Sequence, residues 1–414
     1  MSVLSNEERV KILSDIVSIK TVNSNELEVA QYLEKLFNRY GIRSHIDTVT
    51  DGRANLIATV GSSQPVIGIS GHMDVVSEGD HDHWTYDPFT LTEDQGYLYG
   101  RGAADMKSGL AALAIALIEI KESGKLTQGT IKFMATVGEE MEQSGSQQLF
   151  EKGYADDLDA LLIAEPSFPS LVYAHKGSMD FRIKSKGRAS HSSIPFLGQN
   201  AIKPLLEFIQ NINQEYEKIM QTVKGESLDF SNMINKLENQ LPSHITKEKA
   251  QELIQGLVMT NSIVQGGTQV NSVPDFATAE FNVRTIPEYN NNKVKALFNE
   301  YIEQANQNGA SLTQELYLDL EPVVTTGQNR LVELGFDIAK SHFSNERDLI
   351  VTPTVAVTDA SNLLKGKDEN FPFLMFGPGN GPHQINECVE KANYLEFVEY
   401  YIEFITSYLN EENE

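Results

Sequence analysis

Apolar residues in the first forty positions recur at the three- and four-residue spacing of helices. Ser5-x-x-Glu8 has the form of a capping box and opens a helix with Val10, Leu13, Ile16 and Val17 on one face. Asn25 is placed to cap a second helix running to Tyr40, with Leu27, Ala30, Leu33, Leu36 and Phe37 inward and Gly41 as the stop. The period then shortens, and strands are expected near residues 44–49, 55–60 and 66–70, with Gly71 turning the chain at the end of the third. Residues 106–123 are apolar on most sides, which predicts a helix buried against a sheet and ended by Gly124. Short apolar runs at 131–137, 161–164 and 373–376 have the look of strands covered on both faces. This alternation of helix and strand indicates an α/β fold: a mostly parallel sheet with helices on both faces.

After residue 178 the pattern changes. Residues 179–186 alternate as a half-buried strand, and 200–220 form an amphipathic helix. A polar stretch covers about 221–255, followed by strands at 256–264 and 277–286, a helix at 291–307 and a strand at 311–320. The order βα…ββαβ predicts a small ferredoxin-like α+β unit. From Thr325 the helix–strand alternation resumes, so residues 178–322 read as an insertion between two parts of the first domain, 1–177 and 323–414.

Composition narrows the partners. With 58 acidic and 33 basic residues the chain carries a net charge of −25, which argues against nucleic acid or an anionic membrane. The single cysteine, Cys388, excludes an intrachain disulfide framework and a multi-thiolate metal site. The first residues lack the basic and apolar regions of a signal peptide, and the longest apolar run, 110–118, is far short of a membrane span. A cytoplasmic protein is expected.

Candidate chemistry clusters where the apolar strands end. His72 and Asp74 follow the strand at 66–70, in the arrangement of a metal-binding imidazole and the carboxylate that orients it. Asp105 lies between the glycine-rich Gly100-Arg101-Gly102 and the long apolar helix. Glu139 and Glu140 end the strand at 131–137, Glu165 ends that at 161–164, and His383 follows that at 373–376. Ligands of open α/β sheets sit outside the carboxyl ends of the strands, so these side chains are placed to build one centre. His81 and His83, among aspartates, read as solvated, with Trp84 and Phe89 packing their loop down. His175 reads as structural or as a support behind the ligands, and His45, His244 and His342 as surface.

The motifs Gly71-His72-Met73-Asp74, Gly100-Arg101-Gly102-Ala103-Ala104-Asp105-Met106-Lys107, Glu139-Glu140, Glu165-Pro166 and the late His383 resemble a family of dinuclear metallohydrolases. That family contains succinyl-diaminopimelate desuccinylase, acetylornithine deacetylase, aminoacylase-1 and carboxypeptidase G, and the resemblance covers nearly the whole chain. It implies two divalent metal ions. His72, Asp105 and Glu165 would hold one, and Asp105, Glu140 and His383 the other, with Asp105 bridging and a cis peptide after it. Nitrogen and oxygen donors of this kind suit Zn²⁺, and nearly as well Co²⁺ or Mn²⁺. The resemblance also implies Glu139 as general base and then acid, and His191 of Gly187-Arg188-Ala189-Ser190-His191-Ser192 as an oxyanion stabiliser reaching the partner subunit of a homodimer. Asn271 and Arg284 match substrate-holding positions, and Thr358-Asp359-Ala360-Ser361 is a further pocket candidate. The segment 189–201 and the chain length most resemble the desuccinylase branch. This implies N-succinyl-LL-2,6-diaminopimelate as substrate, with acetylornithine or a dipeptide as the alternative.

Overall fold

The computed structural model describes residues 2–343, 349–379 and 381–410. The chain divides into two compact units, one of Met1–Ala174, Thr325–Thr352 and Thr358–Glu414, the other of His175–Val324 and Pro353–Val357. The insertion anticipated at 178–322 thus begins at His175, ends at Val324 and takes in one further short segment.

The first unit is built on an eight-stranded sheet. Edge to edge its strands are Arg43–Thr50, Arg53–Gly61, Thr130–Thr136, Val66–His72, Ala160–Pro166, Phe373–Gly377, Ser170–His175 and Ile350–Thr354. The four inner strands from Thr130–Thr136 to Phe373–Gly377 are parallel, and antiparallel neighbours flank them on both sides. Val66–His72 is buried at every position and Ala160–Pro166 at all but the last, as strands covered on both faces must be. Helix Lys107–Ser123 is buried from Lys107 through Ile120. It packs against the inner strands and against helices Asn6–Ser18 and Lys391–Asn410. Its approach to the sheet needs Gly109, because a Cβ there would stand 2.0 Å from the carbonyl oxygen of Ala164.

Several local expectations are corrected. Gly71 is not a turn: the strand continues through His72, and the missing side chain instead admits the Met106 methyl, 2.6 Å from where a Cβ would stand. Asn25 adopts a left-handed backbone (φ 67°) that turns its side chain away from capping, and its carbonyl takes the Glu28 N–H instead. In that helix Glu26, not Leu27, is buried, because Arg53 Nη2 meets its carboxylate at 2.5 Å. In the first helix Val10 is only half-buried while Arg9 is buried, held by Glu119 and Glu399.

The second unit is a four-stranded antiparallel sheet in the order Val258–Gly266, Phe276–Thr285, Gly177–Lys186, Leu312–Leu320. Met179, Phe181 and Ile183 alternate inward toward helices Ile202–Thr222 and Asn291–Gln307, with Phe181 stacked on Phe298 at 4.3 Å. This is the ferredoxin-like arrangement. The polar segment folds into short helices, Ser231–Leu237 and Lys247–Gln255, anchored by buried Leu228, Phe230 and Ile234. Their few apolar residues fall too sparsely to show a helical stripe in the sequence.

Candidate metal centre

Each of the four inner parallel strands delivers an ionisable side chain at its carboxyl end. Val66–His72 ends in His72, Ala160–Pro166 carries Glu165, and Thr130–Thr136 leads through Gly138 (φ 72°) to Glu139 and Glu140. Phe373–Gly377 leads to His383. Asp105 precedes helix Lys107–Ser123, and the peptide bond after it is cis.

These residues meet. Asp105 Oδ1 lies 3.1 Å from His72 Nε2, and its other oxygen, Oδ2, lies 3.3 Å from His383 Nε2. Glu165 Oε1 stands 3.5 Å from His72 Nε2, and Glu140 Oε2 stands 2.9 Å from His383 Nε2. Two groups have donor atoms all within 4.8 Å of one another and could hold a metal ion: His72 with Asp105 and Glu140, and His72 with Glu139 and Glu165. The His383 side chain is 52 % exposed, whereas those of His72, Asp105 and Glu165 are 1, 10 and 9 % exposed. The centre therefore opens to solvent on the His383 side.

The electrostatics call for cations. Burial pushes the Glu165 carboxyl up to about 8, opposed by His72 and reinforced by Asp105 and Glu140. Burial and then Glu165 hold Glu139 well above the ordinary carboxylate range. Hydrogen bonds to Asp105 and Glu140 push His383 up to about 10. One oxygen of Glu140, Oε1, is buried without any hydrogen-bond partner. Five carboxylates, those of Asp74, Asp105, Glu139, Glu140 and Glu165, thus share two imidazoles. A buried set of this kind fits divalent metal, whose charge and empty coordination positions would satisfy both the repulsion and the orphan oxygen.

Asp74 does something other than expected. His72 Nδ1 is 3.0 Å from the backbone carbonyl of Asp74 and 3.6 Å from its carboxylate, so the carbonyl is the closer orienting group. The carboxylate instead accepts the backbone N–H groups of Glu139 (3.1 Å, Oδ1) and Glu140 (3.1 Å, Oδ2). Gln143, fully buried, donates from Nε2 to Glu139 Oε1 at 2.9 Å. Sequence reasoning missed Gln143, since a glutamine four residues after a glutamate in a loop carries no signal. Asp359, within the candidate pocket segment 358–361, is buried and accepts from Thr136 Oγ1 at 2.5 Å.

In the second unit, the exposed His191 bridges to Ser272, and the N–H of Ser192 bonds the Asn271 carbonyl, so those two segments are neighbours. Arg284 is half-buried on Phe276–Thr285 opposite Ser178. In the first unit Thr358 is 1 % exposed, and its hydroxyl accepts the Ala360 N–H. His81 and His83 are exposed and Phe89 is buried, while Trp84 is half-buried and donates to Glu78 O at 2.8 Å. His342 is not a free surface residue, because its ring is held between Glu396 (2.6 Å) and Glu403 (3.0 Å).

A parallel sheet that gathers buried carboxylates and imidazoles at one end has the chemistry of a metal-dependent hydrolase. The family model for peptidase family M20/M25/M40 matches residues 68–407, and the chain belongs to this family of metal-dependent hydrolases. A Staphylococcus epidermidis protein named "Probable succinyl-diaminopimelate desuccinylase" is 44 % identical over 411 residues, covering 99 % of this chain and 100 % of its own. A "Succinyl-diaminopimelate desuccinylase" of Wolbachia pipientis is 27 % identical over 98 % of this chain and 94 % of its own. Among solved structures, an M20 family metallo-carboxypeptidase from Sulfolobus solfataricus superposes with a TM-score of 0.79 at 19 % identity, covering 97 % of this chain and 99 % of its own. A Bacillus subtilis protein described as a dinuclear metal binding peptidase of the M20 family gives 0.62 at 16 % identity, with 98 % of each chain covered. Among the described residues, no helix is long and apolar enough to cross a membrane.

Proposed function

We propose that the chain is a dinuclear amidohydrolase that cleaves N-succinyl-LL-2,6-diaminopimelate with water into succinate and LL-2,6-diaminopimelate. The observation that carries the dinuclear reading is Asp105, whose two oxygens face two different histidines, each accompanied by its own glutamate. His72, Asp105 and Glu165 would hold one ion, and Asp105, Glu140 and His383 the other. The donor set suits Zn²⁺, with Co²⁺ or Mn²⁺ as substitutes. When bound, such ions polarise the amide carbonyl and lower the pKa of water toward neutrality.

The protein's own part is proton handling and positioning. Glu139, steadied by Gln143 through one oxygen, takes the proton from the attacking water and then delivers it to the departing amine nitrogen. Asp74 fixes the backbone of Glu139 and Glu140, so base and ligand keep their separate directions. Arg284 and Asn271 are assigned to the substrate, the arginine because its planar fork suits a carboxylate. His191 is assigned to the developing oxyanion. The substrate assignment is supported by the full-length likeness to proteins named desuccinylases. A homodimer formed through the second unit is part of the reading, supported by its edge strand Val258–Gly266, where Ile263 and Val264 stand exposed. So is a cytoplasmic location, where an amino-acid precursor would be processed.

Purified Zn²⁺-loaded protein assayed against succinyl-diaminopimelate, acetylornithine and dipeptides tests the substrate, and faster turnover of either rival overturns it. Glu139→Gln tests the base. It should keep both metal ions and lose about 10²–10⁴-fold in kcat, and unchanged hydrolysis would refute the assignment.

A further inference from the structure

We infer that Glu387 is the positioning residue for Asp105, and that it sets the geometry in which one carboxylate serves two metal ions. The inference rests on the metal centre proposed above and concerns a residue outside it.

Glu387 lies four residues beyond His383 and is 2 % exposed. Its Oε1 accepts three backbone N–H groups from a single turn: Gly102 at 3.1 Å, Ala104 at 2.8 Å and Asp105 itself at 2.9 Å. Its Oε2 takes Nη1 of Arg101, buried in the same turn, whose other nitrogen, Nη2, donates to Ser77 O at 3.1 Å and whose guanidinium lies over Trp84 at 5.2 Å. The Glu387 carbonyl accepts the Gly100 N–H at 2.9 Å, and the next residues, Cys388–Glu390, pair with Tyr97–Tyr99. Every hydrogen-bonding group of Glu387 named here is therefore committed to residues 100–105.

Burying a carboxylate is unfavourable unless it is fully hydrogen-bonded. Here it is, and the beneficiary is one turn with one functional side chain. Residues 101–106 are turn, outside any helix or strand, with Gly102 at φ 86°. Glu387 itself belongs to the other ligand-bearing segment, four residues after His383. His383 (φ 64°) and Asn386 (φ 58°) both adopt left-handed backbones, and Asn386 Oδ1 takes the Thr85 N–H at 2.7 Å. Glu387 thus pins the turn of Asp105 to the turn of His383. The 3.3 Å approach of Asp105 Oδ2 to His383 depends on both turns staying in register.

The test is metal binding by chelator-treated protein, read by Zn²⁺ titration and by the visible spectrum of the Co²⁺ form. Loss of an interaction that orients a ligand lowers metal affinity by about 10–100-fold. Glu387→Gln should show that loss for both ions, an altered Co²⁺ spectrum, and a lower kcat with KM unchanged. Glu119→Gln breaks another buried ion pair, with Arg9, and should lower thermal stability without moving Zn²⁺ affinity. If Glu387→Gln loses stability like Glu119→Gln but binds Zn²⁺ as wild type does, Glu387 is only a brace and the inference is overturned. Should Glu387→Gln not fold, Glu387→Asp keeps the charge and withdraws it from the three amides. The same affinity loss supports the inference, and wild-type affinity overturns it. Failure of the wild-type chain to take up two ions would instead sink the metal-centre reading itself.

Discussion

Replacing Asp74 with asparagine would separate a side chain that orients His72 from one that holds the Glu139–Glu140 backbone. Asp74 is fully buried, and each of its carboxylate oxygens accepts one of those two N–H groups at 3.1 Å. Bonds to an ionised acceptor contribute about 1.5–3 kcal/mol each, a neutral one about 1, and a buried N–H left unpaired costs about 1–3 kcal/mol. Asparagine keeps one bond, now neutral, and turns its NH₂ toward the second N–H. The net loss is on the order of 3 kcal/mol, which for a unit of this size lowers Tm by about 6–10 °C. The displaced peptides carry Glu139, the proposed base, and a misplacement near 1 Å costs about 10²-fold in rate. Thermal melts of the Zn²⁺-loaded variant with steady-state kinetics are the assay, and kcat should fall with KM nearly unchanged. A Tm within 2 °C of wild type together with kcat within twofold would refute the reasoning.

Two further expectations follow from individual contacts. Gln143→Leu removes the N–H that steadies Glu139 Oε1 and should lower kcat about tenfold, the low end of a lost bond to a charged group, while KM stays within twofold and metal content is unchanged. His175, fully buried in the second unit, has its pKa pushed down to about 4 by burial, so the unfolded chain binds the extra proton first as pH falls. The stability it contributes is fully present above its unfolded pKa of about 6.5 and is lost as pH drops toward 4, by about 3 kcal/mol. Denaturant unfolding of His175→Leu across that range should show a flatter pH dependence than wild type, and parallel curves would count against it.

The elements that could be read from the sequence are those with a strong local pattern. The inner strands are continuous apolar runs, so the positions that end them, His72, Glu139, Glu140 and Glu165, could be placed at one edge before any contact was known. Asp105 was legible because a glycine-rich turn and a long apolar helix bracket it. What escaped were side chains whose partners are distant backbone groups. Glu387 meets the 100–105 turn some 280 positions away, and nothing in Gln384-Ile385-Asn386-Glu387 signals an amide acceptor. In sequence Asp74 points to its neighbour His72, whereas its carboxylate serves peptides 65 and 66 residues on. Asn25 failed as a cap because capping depends on a backbone angle that residue type only weakly constrains.

Neighbouring strands stand about 4.8 Å apart, and four side-by-side strands here each present a donor at the same end. That spacing sets where His72 and Glu165 leave the sheet, while the turns beyond the strands carry Asp105, Glu139, Glu140 and His383 to meet them. A lineage could rebuild residues 175–324, the second unit, while the strand spacing that sets His72 beside Glu165 in the first stayed untouched.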